Sequence, residues 1–171
     1  MPFAILIAPS YFVTVCTENV SSLDIFLNGK QDFSTTQKNK FLFQILSYIE
    51  DEYTALLKSI AKRVKQKKVS LSKLSNSDII NLVELEDELN YFLSSMVPNA
   101  NLYSKLKRSN LISIYEEDSE LIEELLISTR QNLDQCRSVI KTVQNVRNAY
   151  STIMTNNLNK TMKLLTSFTI I

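Results

Sequence analysis

The sequence predicts a mostly helical α+β protein: a short β-hairpin, an antiparallel helix pair and one very long C-terminal helix. Its 171 residues include one Gly and three Pro, and this scarcity of helix-interrupting residues favours long helices. Residues 118–171 contain neither, and their apolar side chains recur at the spacing of one helix face. As a single helix this stretch is roughly 80 Å long. It must therefore pack against copies of itself, carry smaller elements along its side or enter a membrane.

Two short apolar segments near the N-terminus, Phe3 to Ile7 and Phe12 to Cys16, are rich in β-branched and aromatic residues. Ala8-Pro9-Ser10 separates them, which predicts a β-hairpin with Pro9 in the turn. Two strands alone are marginally stable, so the hairpin needs further strands or a covering helix. Residues 20–27 predict a short amphipathic helix, which Asn28 and Gly29 end.

The middle of the sequence predicts the antiparallel helix pair. The first helix starts near Ser34-Thr35-Thr36, whose hydroxyls can cap it, and carries an apolar stripe from Phe41 to Val64. Ser75-Asn76-Ser77-Asp78 is a break and a new N-cap, and the second helix runs from Ile79 to about Leu106. Pro98 falls inside it and predicts a kink or an interruption. We expect the basic end of the first helix to lie near the acidic start of the second. The electrostatic attraction between them is favourable, but solvent screens it at the surface.

The composition argues against several classes of function. A net charge of +1 gives no indication of a nucleic-acid partner. The basic run from Lys58 to Lys68 has no interleaved aromatic residues, so we interpret it as a solvated helix face rather than a contact for anionic lipid or nucleic acid. His is absent, which removes the commonest general base and the usual zinc ligand set. Without a nucleophile–base pair or a phosphate-binding loop, an enzyme is not expected.

The cysteines and the N-terminus indicate a cytosolic location. Cys16 and Cys136 are far apart and match no metal-binding spacing, so we expect reduced thiols. The first residues have no charged segment and no small-residue cleavage site, and we do not interpret them as a signal peptide. No run approaches the ~20 apolar residues that a membrane-spanning helix needs.

Carboxylates concentrate where the long helix begins. They are Glu116, Glu117, Asp118, Glu120, Glu123 and Glu124. One interpretation is a solvated helix start at which carboxylates compensate the helix dipole. The other is a site for a hard cation, because Mg²⁺ takes oxygen ligands and keeps several waters, so that one or two carboxylates per subunit suffice.

A row of uncharged polar residues and one Met marks the other end of the long helix. Its members recur at steps of three or four and share one face: Asn148, Thr152, Thr155, Asn159, Met162 and Thr166. Repeated around a symmetric ring, such a row lines a water-filled pore. As the flank of a single solvated helix it has no such role, and periodicity alone leaves both interpretations open.

The segment from Asn156 to Thr166, NNLNKTMKLLT, resembles the part of CorA-family magnesium channels that enters their first transmembrane helix. The family pattern there is approximately N-x-x-N-x-x-M-K-x-L-T. Phe41 to Leu46, followed by Tyr53, is similar to the start of the helix that follows the family's sheet. Tyr11 to Val15 is similar to the last strand of that sheet. These matches fall in the family's order and cover essentially the whole chain.

The resemblance implies a fold and an assembly. Residues 1–33 correspond to the end of a cytosolic α/β domain, 34–110 to an antiparallel helix pair, and 111–171 to a stalk helix that leads toward the membrane. Family members are pentamers around one pore, and the Gly-Met-Asn signature follows their first transmembrane helix. The chain stops before that signature, so we expect a fragment truncated at the start of this helix. The fragment is expected to be cytoplasmic, either monomeric or in another oligomeric state, whereas the full-length homopentamer is a multi-pass cell-membrane protein.

The resemblance also assigns roles to residues of this sequence. Asn159, Met162 and Leu165 match positions that line the family's pore and gate, and Thr155 faces the same way. Asn148 stands where the family often has an Asp ring at the cytosolic pore mouth. Glu124 matches the stalk position of a regulatory cation site, with Glu123 and Glu120 as weaker candidates.

The function implied is a channel for Mg²⁺, with Co²⁺, Ni²⁺ or Zn²⁺ as further substrate ions, gated by intracellular Mg²⁺. A zinc-transporting member of the same family is a close variant. The alternative, from another class of protein, is a soluble helical module that oligomerises through the long helix. No nucleic-acid partner is expected in either case.

Overall fold

The computed structural model describes residues 3–17, 20–34, 36–69, 75–108 and 115–169. Their elements are β1 (Phe3–Ile7), β2 (Phe12–Cys16), α1 (Ser21–Leu27), α2 (Lys38–Val69), α3 (Asn76–Arg108) and α4 (Glu116–Thr169). The predicted fold class is confirmed, since the hairpin, the helix pair and the long C-terminal helix are all present. Some predicted features lie outside the described residues: the Thr35 hydroxyl, the link over 109–114, and the side chains of Lys67, Lys68, Glu116 and Glu117.

Local chemistry accounts for the helix ends. Gly29 follows α1 with a φ of 64°, a left-handed conformation that glycine adopts without strain. The Lys30 N–H donates to Ile25 O at 3.0 Å and closes the end of α1. At the start of α3, Ser75 N–H donates to Asp78 Oδ2 at 2.9 Å and Asp78 N–H donates to Ser75 Oγ at 3.3 Å. This reciprocal pair is a capping box, and the N-cap predicted at residues 75–78 is confirmed.

Helix α3 continues through Pro98 as one helix. The interruption that the sequence allowed therefore does not occur. A proline inside a helix costs about 3 kcal/mol because one backbone hydrogen bond is lost and the ring crowds the preceding turn. Met96 and Tyr103, on either side of it, are both buried. Burial of such side chains contributes roughly 1.5–3 kcal/mol each and offsets this cost.

The described chain divides into two compact units, the first of which comprises Met1–Ala55 and Met96–Asn132. Its core consists of buried residues from three helices: Leu42, Phe43, Leu46, Tyr103, Ile122, Leu125 and Leu126. Ile5 and Phe12 of the hairpin pack against this cluster. Lys38 Nζ donates to Ala8 O at 2.7 Å and also to Pro9 O, which ties the hairpin turn to α2. The covering helix that the hairpin needs is therefore α2.

The second unit comprises Leu56–Ser95 and Leu133–Ile171. Among the described residues its buried hydrophobic core consists of aliphatic side chains and one thiol: Leu57, Ile60, Val64, Leu82, Leu85, Leu89, Cys136, Val139, Ile140, Val143 and Val146. Arg63 of α2 pairs with Glu88 of α3 at 4.0 Å, so the expected proximity of basic and acidic helix ends is confirmed. Both side chains are more than half exposed, and such a pair contributes at most about 1 kcal/mol. The division of the sequence at residues 33 and 110 stays a prediction.

Candidate functional site

The C-terminal end of α4 has no cover from the described part of the chain. Burial along α4 ends at Val146, and every side chain from residue 151 to residue 169 is exposed. Many of these side chains are large and apolar: Ile153, Met154, Leu158, Met162, Leu164, Leu165 and Phe168. Isolated helices shorter than about 12–15 residues are marginal in water, and longer ones gain most of their stability from packing of an apolar face. This end of α4 therefore presents a surface suited to further helices.

The predicted pore-lining residues lie on this exposed segment and just before it. Asn148, Thr155, Asn159 and Met162 share one face of α4, because seven residues make close to two helical turns. Leu165 borders that face, three residues after Met162.

The threonine hydroxyls of α4 present oxygen acceptors outward. Thr155 Oγ1 donates its proton to Ser151 O at 2.9 Å, and Thr166 Oγ1 donates to Met162 O at 2.8 Å. A hydroxyl that donates to its own helix keeps two lone pairs directed away from it. Asn148 and Asn159 add exposed amide groups to the same face, so that it carries neutral oxygen acceptors. Such oxygens can replace part of the hydration shell of a cation or hydrogen-bond to its bound water.

The carboxylates at the start of α4 differ in their surroundings. Asp118 is buried, whereas Glu120 and Glu124 are exposed and lie four residues apart on one face. Glu123 Oε2 lies 3.4 Å from Lys107 Nζ of α3 and is thereby partly neutralised. Within the described residues, no group of three or more His, Cys, Asp or Glu side chains is arranged to hold a metal ion. Glu120, Glu123 and Glu124 are thus not brought together with further ligands from the described residues.

A buried polar cluster around Glu50 was not predicted from the sequence. The stripe from Phe41 to Val64 in α2 was interpreted as apolar throughout. Glu50 is 1% exposed and lies in the first unit beside Tyr103, Thr129 and Asn132, which are also buried. The signal was present in the sequence, because Glu50 follows Leu46 by four residues and precedes Leu57 by seven. It therefore occupies a core position of the helical period.

No helix within the described ranges combines the length and the apolar character that crossing a bilayer requires. The end of α4 carries Lys160 and Lys163 among its apolar residues.

The family described as CorA-like Mg²⁺ transporter protein matches residues 1–171. The complete CorA magnesium transporter of Methanocaldococcus jannaschii superposes with a TM-score of 0.85 at 20% identity, over 96% of this chain and 54% of that one. The soluble domain of the same transporter gives a TM-score of 0.80 at 19% identity, over 88% of this chain and 62% of that one. No match was found among curated proteins.

At these identities the structural likeness establishes the fold, and the chain spans less than two thirds of either solved protein. The family match covers the whole chain. It confirms the resemblance that the motif from Asn156 to Thr166 indicated. The chain belongs to the CorA-like Mg²⁺ transporter family.

Proposed function

We propose that the chain is the cytosolic helical part of a cell-membrane channel for Mg²⁺ and other divalent cations. Membership of the transporter family supports the class of function. The observation that carries the proposal is the end of α4, where residues 151–169 expose an apolar surface beside a row of oxygen ligands. A transporter also fits the expectation that the protein is not an enzyme.

The mixed surface of this helix end favours a ring of identical chains. Leu158 and Leu164 need apolar neighbours, whereas the face with Asn148, Thr155 and Asn159 needs water or ions. Both requirements are met when copies of α4 surround a central axis, with the polar row inward and the apolar flanks between neighbours. We propose five copies, by analogy with the family. Met162 and Leu165 then form the narrow apolar part of the gate.

We propose that Mg²⁺ passes through the pore with most of its bound water molecules. Mg²⁺ releases its waters reluctantly, and neutral oxygen dipoles attract it without binding it so tightly that it cannot leave. Asn148 at the pore mouth supplies a dipole instead of a carboxylate charge. Co²⁺, Ni²⁺ and Zn²⁺ are proposed as further substrate ions, since each carries the same charge as Mg²⁺.

Glu124 is the proposed ligand for regulation by intracellular Mg²⁺. It is exposed, whereas Glu123 pairs with Lys107, so Glu124 is the better available carboxylate of the two. A second ligand would come from a neighbouring subunit. Mg²⁺ bound between subunits shifts the population toward the closed channel if it binds that state more tightly.

The role of the polar row is tested with a matched pair of asparagines. Asn159→Ala in the complete gene product, reconstituted in liposomes that contain a Mg²⁺-sensitive dye, is expected to lower Mg²⁺ influx severalfold. The reason is the loss of an oxygen dipole from every subunit. Asn157→Ala is the control, because Asn157 lies on the opposite side of the same exposed helix. Two outcomes contradict the proposed pore face. One is Mg²⁺ influx at the wild-type rate in Asn159→Ala, and the other is an equal decrease of influx in both variants.

The regulatory role is tested by Glu124→Ala in the same liposomes. We expect the internal Mg²⁺ concentration for half-inhibition of influx to rise by roughly fivefold or more, the lower end of typical coupling free energies. Glu84→Ala, which removes another exposed helical carboxylate, controls for the change in surface charge. An unchanged inhibition curve for Glu124→Ala removes this residue from the mechanism.

A further inference from the structure

The buried carboxyl of Glu50, on α2, is held by neutral groups from α3 and α4 in the first unit. Tyr103 Oη of α3 donates to Glu50 Oε1 at 3.4 Å, and Asn132 Nδ2 of α4 donates to Glu50 Oε2 at 3.3 Å. Both distances exceed the usual ranges, about 2.5–3.0 Å for O–H···O and about 2.7–3.2 Å for N–H···O hydrogen bonds. The carboxyl is therefore enclosed by the helices but only weakly solvated by them.

The Asn132 amide links Glu50 to Thr54. Thr54 Oγ1 donates to Glu50 O, one turn earlier in α2, at 2.9 Å. The same hydroxyl accepts from Asn132 Nδ2 at 2.8 Å and lies 3.1 Å from Asn132 Oδ1. The amide nitrogen thus faces both Thr54 and Glu50, and its two protons serve both acceptors.

Thr129 of α4 is the third hydrogen-bonding neighbour of the Glu50 carboxyl. Its Oγ1 also donates to Leu125 O at 2.7 Å, so its single proton is shared between two acceptors and solvates a Glu50 carboxylate only in part.

No positive charge compensates the Glu50 carboxyl within the described residues. None of the ion pairs found there includes Glu50. The titratable group that faces it from α3 is Tyr103, and those on its own helix are Asp51 and Tyr53, while Thr129 and Asn132 on α4 carry no charge. A buried charge without a partner is costly, and such groups usually become neutral instead.

We propose that Glu50 is a proton-binding site: its neutral form is required for close packing of α2 against α3 and α4 in the first unit. Loss of the proton leaves an uncompensated anion in the core and loosens this unit. The first unit then responds to pH whether or not the assembled protein conducts ions.

The direction of the pH response follows from linkage. Burial raises the pKa of Glu50 above its ordinary value of 4.5, and the hydrogen bonds from Asn132, Thr129 and Tyr103 oppose this shift only in part. Burial likewise raises the pKa of Tyr103, so the phenol stays neutral beside it. Because the folded chain holds this proton more tightly than the unfolded chain, the stabilisation is complete below pH 4.5. It is lost as the pH rises through the folded-state pKa.

The protonation state is measured directly by ¹³C NMR of the glutamate side-chain carboxyls in the full chain, with the Glu50 signal assigned from its absence in Glu50→Gln. We expect this signal to keep the shift of a neutral acid above pH 4.5, the ordinary value. A signal that titrates at or below that value overturns the proposal. The pH titration is carried out on the wild-type chain, and Glu50→Gln serves only to assign the signal.

The packing consequence is measured by urea unfolding and by hydrogen exchange between pH 4.5 and 8. Relative to Glu50→Gln, which resembles the neutral acid in shape, the wild-type unfolding constant is expected to rise up to ~10-fold per pH unit above the ordinary pKa. Peptides of the first unit should exchange faster in the wild type than in Glu50→Gln at high pH, with no such difference in the second unit. Glu52→Gln, an exposed glutamate of the same helix, should retain the wild-type pH dependence. Equal pH dependence in wild type and Glu50→Gln contradicts the proposal.

Discussion

Phe43→Ala is expected to lower the free energy of unfolding of the first unit by about 3–5 kcal/mol, the usual cost of truncating a buried aromatic residue. Phe43 is 0% exposed and lies in the cluster with Leu46, Tyr103 and Ile122. These neighbours belong to three different helices, so they cannot collapse together into the space without moving the backbone. Domains are typically stable by only about 5–15 kcal/mol, so the loss is a large fraction of the total.

Urea unfolding followed by far-ultraviolet circular dichroism measures this loss, and hydrogen exchange assigns it to the first unit. Tyr91→Ala is the control, because Tyr91 is an aromatic residue in α3 that is 77% exposed. Its replacement should change stability by less than about 0.5 kcal/mol. A Phe43→Ala protein as stable as Tyr91→Ala contradicts the described core.

Leu89→Ala is expected to cost about 2–5 kcal/mol in the second unit. Leu89 is 0% exposed and packs in the cluster with Leu57, Leu85 and Cys136. Its carbonyl oxygen also accepts a hydrogen bond from Cys136 Sγ at 3.3 Å, which brings α4 close to α3 at this level. Removing the side chain leaves a cavity at the point where the helices of this unit meet.

The matched control is Leu56→Ala, since Leu56 belongs to the same unit but is 52% exposed. Hydrogen exchange of Leu89→Ala should show lost protection in peptides from the second unit. Equal protection in both variants, or equal urea midpoints, is incompatible with a buried Leu89.

The elements of the fold follow closely from local sequence. Both strands have the predicted bounds, and α4 begins at Glu116, two residues before the predicted start. Apolar periodicity and the lack of Gly and Pro are properties of neighbouring residues, so a long helix can be recognised without its partners. The uninterrupted passage of α3 through Pro98 was not predictable in this way. Met96 and Tyr103, on either side of this proline, are buried by residues distant in the sequence, and this burial offsets the cost of the proline.

The two candidate sites, the polar row and the carboxylates of α4, also differ in how far the sequence alone could predict them. The row with Asn148 and Asn159 belongs to one helix, so the helical repeat alone places its members on one face. Which carboxylate at the start of α4 is available to a cation could be decided only from the structure. Glu123 contacts Lys107 of α3, whereas Glu124 is exposed. That contact joins residues of two helices and has no signature in the sequence around either.

By itself, the sequence determined the hairpin, the long helices, the polar face of α4 and, through the motif from Asn156 to Thr166, the family. Each depends on residues that are close along the chain. Only the tertiary structure decided which polar groups share an interior. Glu50 lies 53 residues from Tyr103 and 82 from Asn132, and they meet because the three helices of the first unit pack side by side. Water is excluded where these helices meet, and a residue of an otherwise ordinary α2 stripe thereby becomes a buried acid without a counter-charge in the described chain.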